Sequence, residues 1–277
     1  MKTVVAALSC MGLLAVLGVS SSAFADQAVE HISKIAEKST CASVNWSHRR
    51  GIAPKAFIRG VALVYAKAVC HPDRPDVKVV SSAMGVGGAS ERKDGLAWYK
   101  DEFSKSGLSN SQSGVDTLRH SYTLLFGLGM MESSGQYCVG RDKSADFSTA
   151  DSAEAGLFQT SWGARVASPE MARLFEFYQS DTKGCLLDVF KSRVACKEWD
   201  AKTWGEGQGA EWQKLTKACP AFATEYAAVL MRTSGGSKGE FGPIRKKQAE
   251  VRLECDSMLS EVQKYVQSDP GVCAQLQ

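Results

Sequence analysis

Residues Tyr122 to Gly135 read Y-T-L-L-F-G-L-G-M-M-E-S-S-G. Glu132 is the first charged side chain after an uncharged run from Ser121 to Met131. Apolar residues at 115, 118, 122, 125 and 126 recur at helical spacing and predict a helix over Val115 to Ser133. A helix so poor in charge must be dehydrated on most faces. A carboxyl group at its end then meets two effects of the same sign. Desolvation disfavours the anion, and the partial negative charge of a helix carboxyl end disfavours it further. Both raise its pKa toward neutrality, which suits a general acid for glycosidic cleavage. On type and position alone, such a glutamate could equally hold its head in water.

Other chemistries find little support. There is no G-x-S-x-G for a hydrolase elbow, and no P-loop or dinucleotide fingerprint. Ser81 to Gly88 is glycine-rich but lacks the lysine a phosphate loop needs. The four histidines have no ligand spacing and the cysteines form no C-x-x-C pair, so neither a metal nor a cofactor is expected. A net charge of +3 without a basic stripe argues against a nucleic-acid partner. If a second carboxylate assists Glu132, the following loop offers Asp142, Asp146, Asp151 and Glu154.

The elements that must position Glu132 are mostly helical. Helices are expected over Ala28 to Lys38, Lys55 to Val69 behind Pro54, and Gly95 to Lys105. Ser168-Pro169-Glu170 starts a helix to Gln179, Pro220 one to Arg232, and Pro243 one to about Gln267. A short helix is expected near Gly156, a short strand over Val77 to Val80, and a loop from Lys202 to Gly209. The fold class is therefore mainly α, with at most a small β element. Residues 26–110 form an N-terminal helical region without an assigned role, and residues 111–277 a second region containing Glu132.

Glu132-Ser133-Ser134-Gly135 resembles the E-S-x-G motif of the soluble lytic transglycosylase and goose-type lysozyme superfamily. Ala155-Gly156-Leu157-Phe158-Gln159 resembles the A-x-G-L-M-Q element of the same family, in the same order along the chain. The resemblance covers roughly residues 111–245 and implies a lysozyme-like domain. It also implies that Glu132 protonates the leaving oxygen of a β-1,4-linked N-acetylated glycan such as peptidoglycan and then acts as base. Ser133, Gly156, Phe158 and Gln159 would line the substrate groove. Glu225-Tyr226-Ala227-Ala228 stands nearest to the family's A-Y-N-A-G element and makes Tyr226 a further candidate. Three features depart from the pattern. The interval from Glu132 to Gln159 is longer than usual and contains Cys138, Phe158 replaces a methionine, and the Asn-Ala-Gly tail is missing. The resemblance leaves open hydrolysis or transglycosylation with closure of a 1,6-anhydro ring. It also leaves open two non-enzymatic readings, a glycan-binding protein on the same fold and an exported interaction domain.

The N-terminus reads as an export signal. Lys2 precedes an apolar run from Val4 to Val19, and Ala23-Phe24-Ala25 is a small-x-small cleavage site, giving a signal over 1–25. A periplasmic or secreted protein is expected, with no membrane span after cleavage. Eight cysteines follow that point, at 41, 70, 138, 185, 196, 219, 255 and 273. An even number in an exported chain predicts four disulfides, with connectivity open.

Overall fold

The helix predicted around the uncharged run forms, and the rest of the chain wraps it. The computed structural model describes residues 21–86, 90–141 and 149–276. Helix α1 spans Ser21–Lys38. A hairpin follows, of β1 (Asn45–Trp46) antiparallel to β2 (Gly51–Ile52). Then come α2 (Lys55–Cys70), α3 (Pro75–Ser81), α4 (Gly95–Trp98), α5 (Lys100–Lys105) and α6 (Val115–Ser133). The second half holds α7 (Pro169–Ser180), α8 (Leu187–Phe190), α9 (Gln208–Ala218) and α10 (Pro220–Ser234). It ends with α11 (Gly242–Arg245), α12 (Leu253–Ser268) and α13 (Pro270–Gln275). Most of the expected signal lies outside the described residues; Ala23 to Ala25 fall in the first turns of α1.

Every residue of α6 from His120 to Met130 is buried. The helix packs against α2, α3, α10, α11 and α12. Its polar side chains are satisfied inside the protein: Ser121 Oγ donates to Val80 O (3.1 Å) and Thr117 O (3.0 Å), and His120 Nδ1 lies 2.7 Å from Asn110 Oδ1. One continuous core takes Phe57, Val61 and Tyr65 from the chain before residue 110 and Leu125, Phe126 and Phe222 from the chain after it.

All eight described cysteines are paired: Cys41–Cys255, Cys70–Cys273, Cys138–Cys196 and Cys185–Cys219. The first two join the N-terminal elements to α12 and α13, closing loops of more than two hundred residues. Long closures of this kind remove the most entropy from the unfolded chain. Four bridges also fit an oxidising compartment.

The local differences from expectation have physical causes. Val77 to Val80 is not a strand but part of α3. Pro75 starts a first turn, and Val77 and Val80 lie three apart on the face buried between α6 and α10, so packing overrides β-propensity. The helix expected from Pro243 breaks after α11, where Lys247 turns left-handed (φ 52°) and residues 249–250 run against α6. Gly95 to Lys105 divides at Tyr99 into α4 and α5. No helix starts at Gly156; Ala155 and Thr160 bridge a tight turn, and a 3-10 helix begins at Trp162. Helix α9 was not anticipated by the sequence pattern.

The close passage at Gly127 gives a sharp test. A Cβ there would sit 2.3 Å from Glu250 O and 2.6 Å from Glu250 N, both backbone atoms. Alanine normally improves a helix by roughly 1 kcal/mol over glycine. Here the overpacking dominates, and Gly127→Ala should destabilise by about 1–3 kcal/mol in denaturant unfolding. A gain in stability would refute the close packing.

Burial also raises the pKa of Tyr65, Tyr99, Tyr122, Tyr178 and Tyr226 above the ordinary tyrosine value. A raised folded-state value means the native protein keeps protons that the unfolded chain has lost. Stability is therefore undiminished below about pH 10 and falls as pH rises beyond it. Tyrosinate absorbance should show these five rings ionising together with unfolding, and not before it.

Candidate functional site

Glu132 stands in the last turn of α6, half-buried, and the two residues that end the helix explain the E-S-S-G sequence. Ser134 is left-handed (φ 55°, ψ 33°) and Gly135 also has positive φ (73°). Their N–H groups donate back to Met130 O and Gly129 O, both at 3.1 Å. A Cβ on Gly135 would meet Phe57 and Pro54 at 2.9 Å, so both its conformation and its neighbours require glycine. The chain thus turns away directly after Glu132 and leaves the carboxyl group at the mouth of the buried helix.

Residues 136–141 are then fastened to a segment some sixty residues further on. Cys138 is bonded to Cys196. Asp200, itself buried, accepts from Gly140 N at 3.1 Å through Oδ1 and from Lys197 N at 3.1 Å through Oδ2. The amine of Lys217 donates to Asp200 O and Lys202 O, each at 2.8 Å, and closes this segment from α9. Burial pulls the Lys217 pKa down, while the Asp200 carboxylate acts in the opposite direction.

The turn at 155–160 docks on the other edge of the same loop. Gly156 N donates to Val139 O (2.8 Å), and Gln159 Nε2 donates to Gly140 O (3.2 Å) and Gly156 O (2.9 Å). Gln159 is left-handed (φ 46°) and buried. Its amide nitrogen is committed to the protein, so the amide oxygen is the group it can offer a ligand.

These pieces enclose a cavity of about 360 Å³ that falls in the range of small-ligand sites. Glu132, Glu154 and Asp200 contribute carboxylates to its lining, Arg141 and Lys197 cations, Gln159 an amide and Trp199 an indole. Of the residues expected from sequence, Glu132 and Gln159 are brought together here. Ser133, Gly156, Phe158 and Tyr226 are not among the lining residues. Ser133 Oγ turns back to Gly129 O (3.1 Å). Gly156 (φ 81°) faces Thr216, where a Cβ would come within 2.8 Å of the hydroxyl oxygen. Phe158 is core, its ring edge against Gly129 of α6. Tyr226 is fully buried and donates its hydroxyl to Ser161 O at 2.8 Å.

Of the loop acids, Glu154 lines the cavity, and Asp151 lies 3.9 Å from Arg165. Asp142 and Asp146 lie outside the described residues. Sequence reasoning missed Arg141, Lys197, Trp199 and Asp200. The available signal was Cys138 in the lengthened loop, whose pairing with Cys196 would have pointed to the residues just beyond it. Among the described residues no group of three or more His, Cys, Asp and Glu side chains has the placement of a metal site. No protein-family model, no curated protein and no solved structure matches this chain.

Asp200 can be tested apart from any activity. Asp200→Ala leaves the Gly140 and Lys197 N–H groups without their acceptor, which should cost about 1–3 kcal/mol. Hydrogen exchange at the Gly140 amide should accelerate with it. Unchanged protection at Gly140 would show that the carboxylate does not hold this loop.

Proposed function

We propose that the protein cleaves β-1,4 glycosidic bonds between N-acetylated sugars of a peptidoglycan-like glycan, with Glu132 as acid and then base. The observation that carries the reading is that Glu132, at the end of a buried helix, and Gln159 line one polar cavity. These are the two residues that the family resemblance assigns to catalysis and substrate binding and that keep a side chain at the cavity. Trp199 adds an aromatic face of the kind that packs on a sugar ring, and Arg141 and Lys197 suit the carboxylates of an anionic cell wall.

In the first step the Glu132 carboxyl group donates its proton to the glycosidic oxygen as the C–O bond breaks. In transglycosylation the substrate's N-acetyl oxygen then stabilises the sugar cation. Glu132 takes the proton from the O6 hydroxyl as O6 closes on C1, giving the 1,6-anhydro product. In hydrolysis a second carboxylate directs water to C1. The presence of Glu154 in the same lining favours this as a second reading.

The assay is digestion of purified peptidoglycan with product masses read by mass spectrometry. Glu132→Gln should lower the rate about 100- to 10,000-fold while the protein keeps its fold by circular dichroism. Equal digestion by wild type and variant, or none by either, would overturn the proposal. Anhydro products with an active Glu154→Gln variant identify transglycosylation. Products heavier by one water, with Glu154→Gln also inactive, identify the two-carboxylate hydrolase.

A further inference from the structure

A larger cavity, of about 610 Å³, shares no lining residue with the first. It lies where the end of α2 and the start of α3 face α7 and the turn at Lys183 and Gly184. Its walls are apolar, formed by Pro75, Leu174, Phe177 and Tyr178. Phe177 is 54% exposed, a large aromatic that no other element covers.

Of the cations lining this cavity the two arginines are paired, and of the lysines Lys183 is exposed and Lys67 half-buried. Arg74 is bound to Asp76 and to the buried Glu225, which also accepts from the Tyr178 hydroxyl at 3.0 Å. Glu170 pairs with Arg173. Asp181 accepts from the Lys183 backbone N–H at 2.9 Å. The half-buried Lys67 amine makes no hydrogen bond and no ion pair among the described residues. It lies against Gly184, where even a Cβ would approach it to 3.2 Å. Burial pulls the Lys67 pKa down, and the nearby Glu225 and Asp181 carboxylates oppose this without offsetting it.

A preformed apolar cavity with a half-buried, unpaired lysine in its wall is complementary to an organic acid. We propose that this cavity binds a small amphiphilic anion, a carboxylate or sulfonate on an aromatic or medium-chain aliphatic body, with the acid group on Lys67 and the body against Phe177, Leu174 and Pro75. The volume lies within the span typical of small-molecule sites, roughly 300–1,000 Å³. The site is independent of glycan cleavage and stands or falls without it.

Two fluorescent probes test it. Anilinonaphthalene sulfonate carries the anion, and N-phenyl-1-naphthylamine is its neutral counterpart. Wild type should bind the sulfonate saturably at one site, and decanoate should displace it where decanol does not. Lys67→Met should weaken sulfonate binding about tenfold or more and leave the neutral probe unchanged, while Lys67→Arg should restore much of the loss. Phe177→Ala, at a position 54% exposed, should weaken both probes. No saturable site in wild type, or a sulfonate affinity unaltered by Lys67→Met and Phe177→Ala, would overturn the assignment. Should Lys67→Met fail to fold, the decanoate and decanol comparison on wild type and Phe177→Ala decides it.

Discussion

The burial of α6 on every side is the constraint that organises this protein. Eleven consecutive residues, His120 to Met130, are removed from water. No helix this poor in charge is stable alone; its burial requires neighbours in all directions. Helices α2, α3, α10 and α12 supply them, and they come from both ends of the chain. Each of the two long-range disulfides has one end on a helix that packs on α6, Cys70 on α2 and Cys255 on α12. Close approach is obtained at Gly127, where the 249–250 backbone lies against the helix. Glu132 is placed by the same constraint, as the first ionisable group beyond the dehydrated run.

Surrounding a helix in this way also forces charges inward, and the fold handles them in closed groups. Arg232 and Asp94 are both almost wholly buried and share two contacts, Nε to Oδ1 at 2.9 Å and Nη2 to Oδ2 at 3.2 Å. Arg232 also donates to Val80 O and Ser82 O at the end of α3. Asp94 accepts from Leu96 N (2.9 Å) and caps α4. At the other end of α10, Glu225 is held by Arg74 and Tyr178. Burial raises the Glu225 pKa while the Arg74 guanidinium opposes it. Buried pairs of this kind contribute little net stability, and removing one partner is costly. They fix the position of α10 relative to α3 and α7. Tyr226, one residue on, can then reach Ser161 and hold the chain just past Gln159.

Much of this was legible in the sequence, and the exceptions share a cause. The limits of α6 follow from its apolar spacing and from the Ser134-Gly135 stop. The proline-led starts of α7 and α10 were equally readable. Val77 to Val80 misled because a valine-rich stretch has the same composition in a strand as in a helix buried on one face. The break after α11 depends on a neighbour, Gly127, more than a hundred residues away. The segment Lys197 to Asp200 belongs to the cavity through one disulfide and the hydrogen bond that the Asp200 side chain accepts from Gly140 N. None of these leaves a local pattern. Of the motif residues, Gly156 and Phe158 were readable as recurring types, but their type reflects packing against Thr216 and α6. Side chains selected for packing and side chains selected for chemistry look alike in a short motif.

That distinction bears on the long interval between Glu132 and Gln159. In a shorter connection the two would be juxtaposed by the reach of the chain. Here the described parts of the intervening loop are fixed by other means, and several of the contacts fall on its first few residues. Cys138 is bonded to Cys196, Val139 O receives Gly156 N, Gly140 N binds Asp200 and Gly140 O receives the Gln159 amide. Residues 138–140 thus form a short strut with the Gln159 turn on one edge and the Lys197 to Asp200 segment on the other. The same strut brings Arg141, Trp199 and Asp200 into the cavity that Glu132 lines. The interval that separates Glu132 from Gln159 in the chain thus supplies half of the lining between them.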